Sequence, residues 1–166
     1  MTGYLSSVWL HILAAAAWIG SMLFFSAVVV PLLRRPELRD KAPVLLRLLG
    51  ARYRVFGWIA LGTLIVTGVL NLYLRGFTWE VLSEGEFWSH GFGRVLAWKL
   101  GFVLLVLVMT LLHEAVVGAR ALDILHREPG SVQAQRIRRS ASWLGRLVGM
   151  VSLVILWLAI ALVRGL

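Results

Sequence analysis

The sequence predicts an all-α integral membrane protein, an antiparallel four-transmembrane-helix bundle with both termini on the outer side. Composition is the first observation: 60% of the 166 residues are hydrophobic, only 15% are charged, and the mean hydropathy is +0.84. Such values lie outside the usual range of soluble proteins. The second observation is that lysine and arginine are concentrated in two of the connections between four apolar runs.

Each apolar run is long enough to cross a bilayer, which requires about 20 residues in a helix. We expect the spans at residues 8–33, 55–74, 95–117 and 143–163. Small residues such as Gly57, Gly68 and Gly145 interrupt the runs and allow helices to approach closely. Because the connections are short or moderate, the chain is expected to form a single domain, 1–166.

The basic residues predict the orientation. The connection from Arg34 to Arg54 holds seven of the 17 lysines and arginines, and that from Gly118 to Arg146 holds six. Cytoplasmic loops of membrane proteins are enriched in these residues, so both connections are expected inside. The net charge of +9 then indicates partners among anionic lipids, and no nucleic acid. We expect an integral protein of a prokaryotic cytoplasmic membrane, N-out/C-out.

Several kinds of chemistry have no residues to perform them. The chain has no cysteine, which excludes disulfides, thiolate metal sites, iron–sulfur clusters and c-type haem attachment. Histidine, methionine, lysine, tyrosine and carboxylates remain as ligands. No Ser-His-Asp set, carboxylate pair or phosphate-binding loop supports hydrolytic chemistry.

An outer polar layer is expected around the start of the first span. His11 and Trp18 are seven residues apart on one helix face, which Met22 continues. His11 lies about 5 Å inside the outer boundary, and Lys99 begins the third span at the same level, with His90 nearby in sequence. A copper site needs two or three converging histidine or methionine ligands, for which His11, His90 and possibly Met22 are the candidates.

His113 belongs to an inner layer, about 27 Å down the third helix and close to the cytoplasmic boundary. Lys99 and His113 share one face of this helix, about 21 Å apart. A haem b needs axial ligands, an apolar slot and cations for its propionates. The inner candidates besides His113 are Met150, Arg52, Arg54, Arg139 and Arg146. His11 and His113 are some 20 Å apart in depth, so they are not the two ligands of one haem within one subunit.

A polar stripe runs along the second span. Thr63, Thr67 and Asn71 follow one another at intervals of four residues and therefore share one helix face. Interhelical hydrogen bonding is the favoured interpretation, and a transport path is the alternative.

Three groups of residues form a recognisable pattern. They are His11, Trp18, Gly20 and Pro31 in the first span, Arg52, Arg54, Gly68 and Asn71 around the second, and Trp98, Lys99, Leu100 and His113 in the third. This pattern resembles the CopD-like domain of copper resistance proteins and the related HemJ-type protoporphyrinogen oxidases, and the resemblance covers nearly the whole chain.

The resemblance implies a haem- or copper-associated membrane protein, with the first-helix histidine, His11, and the third-helix lysine, Lys99, as functional positions. Three features differ from those families. Leu32 follows Pro31 where HemJ-type enzymes have Pro-Arg, and the interval from Lys99 to His113 is longer than expected in those enzymes. The chain also lacks the Met/His-rich outer segment of a dedicated copper importer.

Three functions follow as hypotheses. The first is a b-type haem-binding membrane redox protein with one or two haems per subunit, acting in electron transfer or as an oxidoreductase with a redox partner that the sequence does not name. In this haem-binding hypothesis Lys99 stabilises a propionate or an anionic substrate. The second is a copper-binding or copper-transport protein. The third is a cofactor-free structural or partner-docking subunit. A homo-oligomer would complete a ligand set that one subunit leaves unfinished.

Overall fold

The computed structural model describes residues 2–38, 40–116, 124, 127 and 130–165. Within these residues all regular secondary structure is helical. The α-helices are α1 (Thr2–Phe24), α2 (Val30–Leu33), α3 (Ala42–Leu74), α4 (Trp79–Ser83), α5 (Gly85–Ser89), α6 (Gly91–Val116) and α7 (Val132–Arg164). A π-helical turn (Phe25–Val29) joins α1 to α2, and a 3₁₀ turn (Pro36–Leu38) follows.

Four helical segments are long and apolar enough to cross a membrane, which confirms the four predicted spans. They are Thr2–Leu33, Ala42–Leu74, Gly91–Val116 and Val132–Arg164. The second helix is longer than its predicted span because it begins in the arginine-containing segment 42–54, and the fourth because it begins in the polar segment 132–142. Val117, the last residue predicted for the third span, lies outside the described residues.

The π-helical turn precedes Pro31, near the end of the first span. Proline has no N–H to donate within a helix, so the residues ahead of it lose one hydrogen bond of the regular pattern. A wider turn accommodates this loss: the N–H of Val30 donates to the carbonyl of Phe25. The first span therefore continues through its proline to Leu33.

The contacts of the chain fall into two compact units, residues 1–81 and 82–166. In the first unit α1 packs along α3. His11 contacts α3 at Thr67, Trp18 contacts it at Gly57, and the ring of Phe25 lies 5.0 Å from that of Tyr53. As the residue numbers of the contacts increase along the first span, those of their partners on α3 decrease.

In the second unit α6 packs along α7, and α5 packs against the start of α6. Leu96 and Val106 of α6 are buried, as are Val148, Leu158 and Ala161 of α7. Many other large apolar side chains of both units are exposed. Apolar surface on this scale is suited to a lipid environment.

Two residues outside the apolar runs fix the ends of α7. Ser131 caps the N-terminus, since its side chain accepts a hydrogen bond of 3.1 Å from the N–H of Ala134. Gly165 ends the helix in the left-handed conformation, with φ of 69°. The helix between them carries Arg139 and Arg146, two of the four arginines predicted for the inner layer.

Candidate functional site

His11 is held by a hydrogen bond between the two helices of the first unit. Its Nδ1 lies 2.7 Å from Oγ1 of Thr67, which is buried. Thr67 Oγ1 in turn donates to the carbonyl of Thr63 at 2.6 Å. A hydroxyl has one hydrogen to donate, so Thr67 accepts from His11, and Nδ1 carries the proton. In the neutral imidazole the lone pair is therefore on Nε2.

Because Gly68 has no side chain, the His11 ring packs closely against α3. A Cβ built at Gly68 would lie 3.5 Å from Cε1 of His11, so the ring packs directly on the α3 backbone. Beside it, Thr67 holds one edge of the ring through the hydrogen bond to Nδ1. The position of the imidazole is thus determined both by packing and by a directed hydrogen bond.

Two more polar side chains lie one helical turn from this pair. Ser7 precedes His11 by four residues and Asn71 follows Thr67 by four, so both continue the same helix faces towards the same end of the α1–α3 pair. The buried atoms Ser7 Oγ and Asn71 Oδ1 have no hydrogen-bond partner among the described residues. Buried polar atoms normally have one. This end of the interface therefore has unused hydrogen-bonding capacity.

One residue of the polar stripe of α3, Thr67, makes an interhelical hydrogen bond. Thr63 contributes differently, because its hydroxyl donates within α3 to the carbonyl of Ile59 at 2.8 Å. Its carbonyl, however, accepts from Thr67. The spacing of these residues in the sequence predicts the stripe, but it does not predict the hydrogen bond between Thr67 and His11.

Trp18 and Met22 continue along α1 away from His11. Trp18 is only 6% exposed, and a Cβ at Gly57 would lie 3.2 Å from its ring. Met22 lies about 16 Å further along the axis than His11, since 11 residues of uninterrupted α-helix separate them. The structure therefore does not bring Met22 to a metal ion bound by His11.

His90 lies in the second unit, on the extended residue between α5 and α6. Its side chain is exposed, and its Nδ1 is 2.7 Å from Oγ of Ser89. The part of the chain that the structure describes contains no group of three histidine or carboxylate side chains placed to hold a metal ion.

Lys99 and His113 lie on the same uninterrupted helix, α6, and both are half-buried. Their separation of about 21 Å along the axis is the one expected from the sequence. Among the described residues Lys99 has no hydrogen bond or ion pair, and His113 interacts electrostatically with its neighbour Glu114. The two side chains thus occupy opposite ends of one helix.

An open groove of about 510 Å³ lies between the end of α6 and the first half of α7. Its apolar residues include Leu112 of α6 and Trp143 and Leu147 of α7, and its polar ones are Arg139 and Ser140. We call it the α6–α7 groove. His113 is the residue next to Leu112 in α6.

The remaining candidates of the inner layer are exposed. Arg146 lies with its guanidinium carbon 5.9 Å from the centre of the Trp143 ring. Met150 is 53% exposed, two helical turns beyond Trp143. Arg52 and Arg54 lie on α3 in the first unit, and their side chains are also exposed.

Four long apolar helices define the chain as an integral membrane protein of the helical class. Its residues 13–128 match the family described as "Domain of unknown function (DUF4149)", and the chain belongs to that family. An Aquifex aeolicus (strain VF5) protein described as an uncharacterized protein is 31% identical over 160 residues, 95% of this chain and 94% of that protein. No solved structure matches the chain. The matched family region contains Thr67, Lys99 and His113 and begins two residues after His11.

Proposed function

We propose that this chain is a b-type haem-binding redox protein of a prokaryotic cytoplasmic membrane, in which His11 and His113 would hold haem iron. The resemblance to CopD-like and HemJ-type proteins is part of this proposal. So is the finer topology, an antiparallel bundle of four helices with both termini outside. His11 then lies towards the outer face and His113 towards the inner one.

The observation that carries the proposal is the hydrogen bond from His11 to Thr67. An axial histidine binds iron through the lone pair of one ring nitrogen, and its other N–H is normally held by a protein acceptor. His11 has this arrangement, with the proton on Nδ1 directed at Thr67. The Thr67 hydroxyl is itself fixed by the carbonyl of Thr63. The donor set therefore fits a haem ligated through Nε2.

Other residues have separate roles in this proposal. A bound haem would supply reversible one-electron chemistry. Trp18 would provide apolar surface beside the His11 face, and Lys99 would neutralise a propionate or an anionic substrate. Exposed cations would neutralise the propionates of an inner haem, with Met150 as a further candidate ligand for its iron. The cations are Arg52, Arg54, Arg139 and Arg146.

Absorption spectra test the proposal. The full chain, expressed with ample haem and purified in detergent, is expected to show a Soret band and a b-type pyridine haemochrome. His11→Ala should remove the haem that His11 holds, and His113→Ala the one that His113 holds. His90→Ala is the matched control, because the His90 side chain is exposed and is hydrogen-bonded to that of its neighbour Ser89. It should leave the haem content unchanged.

Two results would overturn the proposal. A colourless protein despite ample haem would exclude it, and so would an unchanged Soret band in both the His11→Ala and His113→Ala variants. Metal analysis of the same samples distinguishes the copper hypothesis, which requires stoichiometric copper that survives dialysis and is lost from His11→Ala. Protein without haem or metal, in which alanine at His11 lowers only stability, would support the cofactor-free alternative.

A further inference from the structure

The α6–α7 groove has the features of a lipid-binding site. We propose that it binds one anionic phospholipid, with an acyl chain along its apolar residues and the phosphate at Arg139 and Ser140. A lipid phosphate at Arg139 would take the place of a haem propionate at that residue. The site lies wholly within the second unit.

The walls of the groove provide the apolar half of such a site. Leu112 is 52% exposed and Trp143 is 51% exposed, so no described part of the chain covers these walls. Val116 and Leu147 extend the apolar surface on the two helices. An acyl chain would pack on this surface through van der Waals contacts with the side chains of both helices.

The polar end of the groove carries positive charge. Arg139 and Ser140 line it, and a guanidinium pairs with phosphate through charge-assisted hydrogen bonds. The other arginines of the same half of α7 are Arg136, Arg138 and Arg146, and α7 contains no aspartate or glutamate. A phosphate at Arg139 thus meets no acidic side chain from α7.

The order of residues along α7 matches the order of layers in a lipid leaflet. Arg139 precedes Trp143, and Leu147 follows it, one helical turn at each step. Tryptophan is enriched at the boundary between head groups and hydrocarbon. Arg146 is placed over the Trp143 ring at 5.9 Å, a cation–π contact that helps to hold the ring. Basic pockets between membrane helices on the cytoplasmic side recognise anionic head groups.

Native mass spectrometry of the full-length chain in detergent tests the site. Phosphatidylglycerol and phosphatidylcholine with identical acyl chains are titrated separately, and inorganic phosphate is added as a competitor in a third arm. We expect one phosphatidylglycerol to bind in preference to phosphatidylcholine. Arg139→Gln should weaken its binding about fivefold, the effect of removing one basic residue near an anionic lipid surface.

Arg138→Gln is the matched control, because it removes the same charge from the adjacent position, which does not line the groove. It should bind phosphatidylglycerol like the unaltered chain. Equal binding of the two lipids would overturn the proposal, as would equal effects of Arg138→Gln and Arg139→Gln. Displacement of the lipid by millimolar phosphate would show a plain anion site and overturn the assignment to a lipid. A circular dichroism spectrum of each variant identifies any that fails to fold, in which case Arg139→Lys replaces Arg139→Gln and should retain binding in part.

Discussion

Thr67 orients His11 because its hydroxyl is engaged on both sides. Its hydrogen goes to the carbonyl of Thr63, which leaves its oxygen to accept from Nδ1 of the imidazole. Without that acceptor the ring loses the group that selects its tautomer. In the proposed function the threonine is therefore a positioning residue, which acts through His11.

Replacing Thr67 by valine tests this role. Valine has nearly the same shape but no hydroxyl, so Nδ1 of His11 loses its acceptor. Loss of a hydrogen-bond partner behind a metal-binding histidine lowers metal affinity roughly 10- to 100-fold, and we expect haem affinity to fall by that factor. The measurement is a haem titration followed at the Soret band. Thr67→Ser, which restores a hydroxyl, should recover most of the affinity.

Thr63→Val is the second control for that experiment. It makes the same chemical change one helical turn away, at a hydroxyl that donates to Ile59 and not to His11. The carbonyl of residue 63, which accepts from Thr67, remains. A loss of affinity in Thr63→Val equal to that in Thr67→Val would contradict the assigned role.

The residue types at this site were predictable, but their pairing was not. His11 and the Thr63–Thr67–Asn71 stripe are each evident in the sequence, because spacing assigns residues to helix faces. Which residue of α3 meets His11 depends on the register and rotation of the two helices. Side-chain packing sets these, as where Trp18 lies against Gly57. The spacing of four residues between Ser7 and His11 is the sequence feature that places Ser7 on the same face of α1.

At the scale of elements, the junction of α5 and α6 depends on Gly93. A Cβ built there would overlap the carbonyl group of Phe87, which is backbone and has no rotamer by which to move away. Phe87 also contacts the rings of Trp88 and Phe92. The seating of α5 on α6 therefore requires glycine at position 93.

Gly93→Ala is expected to destabilise the second unit. Overpacking typically costs about 1–3 kcal/mol, which in a chain of this size lowers the melting temperature by roughly 2–12 °C. Thermal unfolding in detergent, followed by circular dichroism, measures it. Gly101→Ala is the control, since a Cβ at that position of α6 meets no atom within 4 Å. If Gly101→Ala is as destabilised as Gly93→Ala, the clash with Phe87 is not the cause.

The long helices were predictable as spans, although their ends were not. Hydropathy identifies the residues suited to hydrocarbon, whereas a helix ends where its backbone groups find other partners. The second predicted span began at residue 55, but α3 begins at Ala42, since no strong helix breaker separates the basic segment from the apolar run. The fourth began at residue 143, but α7 starts after the Ser131 cap. The start of α7 therefore leaves no hydrophobic signal.

At the scale of the whole molecule, the asymmetry of charge determines the proposed orientation. Thirteen of the 17 basic residues fall in the two connections predicted to be cytoplasmic, seven in one and six in the other. Acidic residues contribute little to orientation, so the glutamates of the opposite connection do not decide it. The proposed position of His11 towards the outer face rests on this single asymmetry.

Single-cysteine labelling tests the orientation directly, because the natural chain contains no cysteine to give background. Glu84→Cys, in the exposed connection between α4 and α5, is expected to react with a membrane-impermeant maleimide in intact cells. Glu37→Cys, in the first basic connection, should react only after the membrane is permeabilised. Both substitutions remove an acidic residue and leave every lysine and arginine, so neither should change the orientation. If Glu37→Cys but not Glu84→Cys is labelled in intact cells, the topology is the inverse of the proposed one and His11 lies on the cytoplasmic side.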